Sequence, residues 1–191
     1  STDNAQGTYY GLLDVGTPVM MGVCAGADSF TRSGATMGTS TSGQTYTGTA
    51  SRWSTDGTSA VFTATAANQS GAATMDNSGV RDFDATVTIT APGAIMTGAA
   101  SNAAIIAKQD ATNYIYFRIV FGLANDLDVR ISRQGGAGNT DLANVNPSFT
   151  YTASAQFKMR AQRIGSTYRV KVWQAASAEP AAWNASATDT S

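Results

Sequence analysis

Apolar and polar residues alternate with period two along much of this chain. In Phe83–Thr90 (FDATVTIT), Ala85, Val87 and Ile89 fall on one face and threonines on the other, the mark of a half-buried strand. Residues 127–133 repeat the pattern with Leu127, Val129 and Ile131 inward. Residues 157–164 alternate as well. Gly165-Ser166 then reads as a tight, glycine-first hairpin turn that returns the chain into a partner strand at 168–173. Tyr114–Phe121 (YIYFRIVF) is apolar on both faces except at Arg118, which predicts a central strand. Residues 59–65 and 103–107 read as shorter strands, and Pro92-Gly93 and the glycines of 135–138 as breaks or turns. No segment carries a helical period. Short strands at even spacing with turn signals between them predict an all-β sandwich or jelly roll.

The first 27 residues read differently. They hold Tyr9-Tyr10-Gly11-Leu12-Leu13, then Gly16-Thr17-Pro18, then the apolar run 19–23. Pro18 suits a strand start or edge, and the run after it suits a buried strand. The expected organisation is an N-terminal arm, or the end of a preceding module, over 1–27, and one β domain over 28–191. No stretch approaches the roughly 18 consecutive apolar residues of a membrane-spanning helix. No basic region followed by an apolar run marks a signal peptide.

Composition narrows the chemistry. Charged residues make up 13% of the 191 positions, about half of the ~25% usual for globular proteins. Twelve basic and thirteen acidic residues leave a net charge of -1. That argues against a nucleic-acid partner, which needs a basic face, and against electrostatic attachment to a membrane. Solubility comes instead from 26 Thr and 18 Ser, set among 33 Ala and 19 Gly. Threonine's branched Cβ suits the pleated surface of a strand. There is no histidine, which removes the Ser-His-Asp triad, the Cys-His dyad and imidazole-ligated zinc. Glu179 is the one glutamate among twelve aspartates, so paired-glutamate glycoside hydrolysis is excluded, although Asp-Asp and Asp-Glu pairs are not. Cys24 stands alone and forms no internal disulfide. The expectation is a protein that is not an enzyme.

Several residues could carry binding. Trp183 and Trp173 could stack a sugar ring, whose CH face suits an aromatic surface; core packing is the competing reading, stronger for Trp173. Arg118, Arg130, Arg133, Arg160, Arg163 and Arg169 alternate with apolar residues on three strands and could share one outer face, solvated or facing an anionic glycan. The glycan-binding set singled out is Trp183, Arg130, Arg133 and Asn139. Asp126 and Asp128 flank Leu127, and Asp82 and Asp84 flank Phe83; two carboxylates on one face can hold Ca²⁺ if other oxygens complete six to eight ligands. Asp126 and Asp128 are the metal candidates on this reading, against a solvated face beside Arg130. Glu179-Pro180 reads as a turn, with Glu179 pairing to Arg169 or Lys171. The glycines of 135–138 lack the following helix and Lys-Ser/Thr pair of a phosphate cradle and read as a loop.

The last third carries a resemblance. Phe157-Lys158-Met159-Arg160, Gly165-Ser166, Arg169-Val170-Lys171-Val172-Trp173, Glu179-Pro180-Ala181-Ala182-Trp183 and Thr188-Asp189 follow one another closely. This string resembles the F-x-V-R … G-S … R-x-K-V-W … E-P-x-x-W … T-D pattern of concanavalin A-like, laminin-G-like jelly-roll domains in bacteriophage tail proteins and actinobacterial secreted proteins. Asp28-Ser29-Phe30-Thr31-Arg32, with Gly38, Gly43, Tyr46 and Trp53 downstream, is similar to the D-x-F-x-R … G … G-x-W opening of those domains, with Tyr46 where Trp is more usual. Tyr9-Tyr10-Gly11-Leu12-Leu13 and Gly16-Thr17-Pro18-Val19 resemble the P-Y-Y-G-L-L … N-T-P-V-R segment of minor tail proteins from phages of actinobacteria, with Met20 where Arg is common. The resemblance implies a non-enzymatic, extracellular virion module of a phage tail. Its implied partners are other virion subunits, further copies of itself in a homo-oligomer, and a host cell-surface glycan. The alternatives are a purely structural capsid or tail decoration and, last, a glycan-active enzyme; glycosidases of this fold carry an E-x-D-x-x-E type cluster that this chain lacks. Some laminin-G-like domains bind Ca²⁺ at a loop rim, which by analogy keeps Asp126 and Asp128 in view. In the family further strands follow the T-D motif, so the final strands are expected to be missing here or supplied by a neighbour.

Overall fold

The structure is a computed structural model and describes residues 6–9, 27–48, 52–63, 70–75, 82–108 and 112–190. Among these the chain is all-β and antiparallel, in three sheets. The largest runs β11 (Gly138–Val145), β10 (Leu127–Gly135), β9 (Tyr114–Phe121), β8 (Ser101–Lys108), β1 (Gln6–Tyr9), β6 (Ala73–Met75), β3 (Tyr46–Gly48). The second runs β14 (Ala185–Thr188), β13 (Thr167–Gln174), β12 (Gln156–Ile164), β7 (Phe83–Thr90). A small third sheet joins β2 (Ser33–Gly34), β4 (Trp53–Asp56) and β5 (Ala60–Phe62). β10 packs over β13 and β14, so the two larger sheets face each other as a sandwich.

Alternation decides what lies between the sheets. Val87 and Ile89 from β7, Phe117 and Ile119 from β9, Val129 and Ile131 from β10, Met159 from β12, and Val170 and Val172 from β13 are all buried in one core. Each such side chain stabilises the fold by about 1.5–3 kcal/mol. β9 pairs with β8 on one side and β10 on the other, the central place its sequence predicts. The β12–β13 hairpin turns on Gly165 at φ +58°, a backbone state open to glycine at no steric cost. Of the N-terminal arm expected over 1–27, Gln6–Tyr9 pairs with β6 and β8 as an interior strand. Pro18, the run 19–23 and Cys24 lie outside the described residues. Ala185–Thr188 pairs with β13.

Two features bear directly on the surface chemistry. Strand β11 has little apolar alternation and forms as the hairpin partner of β10, turning at Gly136-Ala137 with Gly138 at φ +104°. Its register shifts between Ile131 and Ser132: Ala143 faces Ile131 while Asp141 faces Ser132, leaving Leu142 as the extra residue of a β-bulge. Leu142 and Ala143 both pack toward the core, so Asp141 and Asn139 are turned outward.

The second is a buried ion pair at Asp28. Asp28 is fully buried, and Arg32 Nη1 and Nη2 donate to its two oxygens at 2.7 and 2.8 Å. Phe30 N also donates to Asp28, at 3.0 Å. Burial pushes the Asp28 carboxyl up, but the hydrogen bonds from Arg32 and Phe30 and the Arg32 charge more than reverse this and leave it below the usual range. Phe30 sits at φ +52° with its ring in the core, a strained state for a bulky residue. Asp28 and Arg32 hold that turn. The D-x-F-x-R spacing is thereby explained: a carboxylate and a guanidinium brace the strained aromatic between them.

Candidate functional site

The sandwich has two outer faces, and each gathers arginine, carboxylate and aromatic side chains. On the larger sheet, Tyr114, Tyr116 and Arg118 point outward from β9, because Ile115, Phe117 and Ile119 take the core side. Their rings and guanidinium form a stripe: Tyr114 and Tyr116 have ring centroids 5.4 Å apart, and Arg118 Cζ lies 4.9 Å from the Tyr116 ring. The pairing register places Ser132 of β10 opposite Tyr116, and Asp141 of β11 opposite Ser132.

Asp141 is the hub of that face. Ser132 Oγ donates to its Oδ1 at 2.6 Å, Arg118 Nη2 donates to the same oxygen at 2.6 Å, and Arg130 Nη1 donates to Oδ2 at 3.1 Å. Burial raises the Asp141 carboxyl, and the Ser132 hydrogen bond with the Arg118 and Arg130 charges overrides it, so the group titrates below its ordinary value. Arg130 Nη2 also donates to Asp128 at 2.7 Å; that bond raises the Arg130 pKa against the opposing effect of burial. The Tyr116 hydroxyl donates to Asn139 Oδ1 at 2.7 Å, reaching across β10, and burial pushes its pKa up. Tyr114 and Tyr116 are half-buried, and Asn139 and Asp141 are exposed.

The other outer face is organised by the segment 175–184, which returns across β13 and β12. Arg160 donates through Nε and Nη2 to the two oxygens of Asp84, at 2.7 and 2.6 Å. Through Nη1 it donates to Glu179 at 2.6 Å. Lys171 Nζ donates to the Pro180 carbonyl at 2.7 Å and pairs with Glu179 at 2.6 Å. The Trp183 ring takes both cations, with Lys171 Nζ 4.8 Å and Arg160 Cζ 5.7 Å from its centroid. The Lys171 hydrogen bond holds the Glu179 carboxyl below its ordinary range, with Arg160 adding to it; the Asp84 bond raises the Arg160 pKa. Lys171 and Trp173 both point outward from β13, yet they are 5% and 6% exposed. Asn184 closes the segment, its Oδ1 accepting from Val172 N at 2.6 Å.

The predicted site residues are therefore dispersed. Arg130 and Asn139 meet on the face of the larger sheet. Trp183 is on the opposite face. Arg133 reaches from β10 to Asp189 at 3.1 Å, tying the two sheets together. The six arginines expected on one outer face are divided, because their strands belong to two sheets: Arg118 and Arg130 lie on one, Arg160 and Arg169 on the other. Arg163 sits by its hairpin, donating to the Gly165 carbonyl at 3.1 Å. Trp173 is buried, but on the outward side of its sheet and outside the main core. Glu179 pairs with Lys171, as expected, and also with Arg160.

Of the metal candidates, Asp126 accepts from Asn146 Nδ2 at 2.8 Å and Asp128 pairs with Arg130. Asp84 is taken by Arg160 and Asp82 accepts from Gly165 N at 2.7 Å. Among the described residues no three His, Cys, Asp or Glu side chains gather as a metal-binding group.

Sequence reasoning did not single out Tyr114, Tyr116 or Asp141 for a site. The outward alternation of Tyr114 and Tyr116 around Ile115 was the available signal; Asp141 had none, because its direction depends on the bulge. Comparison with family models, curated proteins and solved structures finds no match for this chain.

Proposed function

We propose that this chain is a non-enzymatic jelly-roll module of a phage tail or other virion surface, serving host-glycan adhesion, subunit packing or both. The observation that supports this best is how the motif string behaves in space. Arg160, Lys171, Glu179 and Trp183, which sequence separates by up to 23 positions, come together in one ion-paired, cation–π cluster. Residues that carry the resemblance thus act together physically, holding the 175–184 segment on the smaller sheet. A second support is the state of the carboxylates. Asp28, Asp84, Asp128, Asp141, Glu179 and Asp189 each pair with a guanidinium or ammonium group. The lowered values at Asp28, Asp141 and Glu179 are the opposite of the raised value a general acid needs near neutral pH.

Adhesion through such a module is weak per site and gains strength from repetition. The test is to display the chain in multiple copies on streptavidin and measure its retention on actinobacterial cell-wall polysaccharide. Retention by the multimer, with the single chain washing off, is the expected result. A multimer that passes through unretained removes adhesion and leaves subunit packing.

A further inference from the structure

We propose that the outer face of β9–β10–β11 is the glycan-binding surface, and that it takes uncharged, hydroxyl-rich hexose polymers. This rests on the adhesion reading above and names its site and ligand class. The Tyr114–Tyr116 stripe offers the half-exposed aromatic surface on which the CH face of a pyranose stacks. Asn139 and Asp141, exposed beside it, offer an amide and a carboxylate, groups that bond vicinal hydroxyls in pairs.

Three observations point to this face rather than to the Trp183 face. The first is the bulge. Without the extra residue, regular alternation from Ala143 would put Leu142 outward and Asp141 inward. The register shift instead aims Asp141 and Asn139 at the Arg118 and Tyr116 row. Bulges recur where a strand must re-aim a side chain at a site. The second is preorganisation. Tyr116 is held by Asn139 and Arg118, and Asp141 by Ser132 and two arginines, so little side-chain freedom is lost on binding. The Trp183 ring stacks against two cations, Lys171 and Arg160, whereas Tyr116 carries one, Arg118, and Tyr114 stacks on Tyr116.

The third is charge, and it selects the ligand. Arg118 and Arg130 are balanced by Asp128 and Asp141 through direct ion pairs. An anionic polymer would have to compete with those carboxylates for the guanidinium groups and would meet their repulsion. A neutral polymer uses the remaining lone pairs and N–H groups without breaking a pair.

The experiment is affinity electrophoresis of the full chain through gels containing a soluble β-glucan, a galactan or a mannan. Polygalacturonate and dextran sulfate serve as charged comparators, and each polymer is also titrated onto the multimerised chain. At least one neutral polymer should retard the protein, Tyr114→Ala and Asn139→Ala should each weaken that retardation by about tenfold, and Trp183→Ala should leave it unchanged. Asn139 is exposed on an edge strand, so its variant reports binding even if the tyrosine variant folds poorly. Retardation by a neutral polymer that both face variants retain in full overturns the site and leaves the adhesion reading standing. Retardation by the anionic polymers alone overturns the ligand class. No binding by any polymer, even to the multimer, overturns both. A change of oligomeric state in Tyr114→Ala, with glycan binding intact, assigns the face to subunit packing and overturns the proposal.

Discussion

The two outer faces of the sandwich use the same materials to opposite ends. Each has arginine stacked on an aromatic ring and carboxylates bridging cations. On the smaller sheet the network is turned inward on the protein: Arg160 and Lys171 hold Glu179, Pro180 and Trp183, and Lys171 and Trp173 lose nearly all contact with solvent. On the larger sheet a comparable network of Arg118, Arg130 and Asp141 ties only the strands beneath it and stays exposed at Asn139 and Asp141. The difference lies in the connection that leaves each strand. After β13 the chain returns across the sheet over residues 175–184 before β14; after β10 it makes a two-residue turn and leaves the face open. Residue type does not distinguish a covered network from an open one. Cover does.

Stability measurements sharpen this contrast. The largest effect belongs to Trp173→Ala. Truncating a buried tryptophan removes about 3–5 kcal/mol, seen as a lowered urea midpoint, although the residue faces away from the main core. A loss under about 1 kcal/mol would mean that this ring contributes little despite its burial and would undo the comparison.

Next comes Glu179→Ala, which leaves the Lys171 ammonium buried without its carboxylate, facing only the Pro180 carbonyl and the Trp183 ring on this segment. The expected cost is about 1–3 kcal/mol. Asp128→Ala, the matching cut on the open face, should cost no more than about 1 kcal/mol, because partly exposed pairs contribute little. Equal costs for the two variants would erase the distinction between the faces.

Acid gives a third test, of smaller size. The folded-state pKa of Glu179 lies below its ordinary 4.5, so its contribution is complete above that value and is lost as pH falls through the lower folded value. Wild type and Glu179→Gln should therefore differ in urea midpoint at pH 7 and converge as pH drops toward 3. A gap that persists unchanged at pH 3 would show that Glu179 acts by shape rather than by charge. Asp141 carries the same sign, so acid loosens both faces. The smallest stability change is expected for Tyr114→Ala, under about 1 kcal/mol, since the ring is half-exposed.

Much of the fold was legible where burial is one-sided. Val87 and Ile89 in β7, and Val129 and Ile131 in β10, alternate with polar neighbours because each strand has one dry face, and period two records that directly. β11 was not legible. Asn139, Thr140 and Asp141 carry no apolar signal, and the strand exists because a two-residue turn brings it alongside β10. Sequence suggests core packing for Trp173; the residue is buried, but on the outward side of β13 and outside the main core.

The candidate site shows the same division. Sequence offers Arg130 and Asn139 as candidates for one site together with Arg133 and Trp183, which lie at the sheet-to-sheet tie and on the opposite face. A one-residue change of register exchanges the two sides of a strand, and no local pattern announces which sheet a strand will join. By itself, the sequence determined the all-β class, the strand interiors, the absence of histidine chemistry and the charge-poor, threonine-rich surface, because these follow from residue type and period alone. Only the tertiary structure decided which arginines share a face, which tryptophan is covered, and that Asp141 points at Arg118. Those outcomes depend on sheet order, one bulge and one returning segment, and each of them brings together residues far apart in the chain.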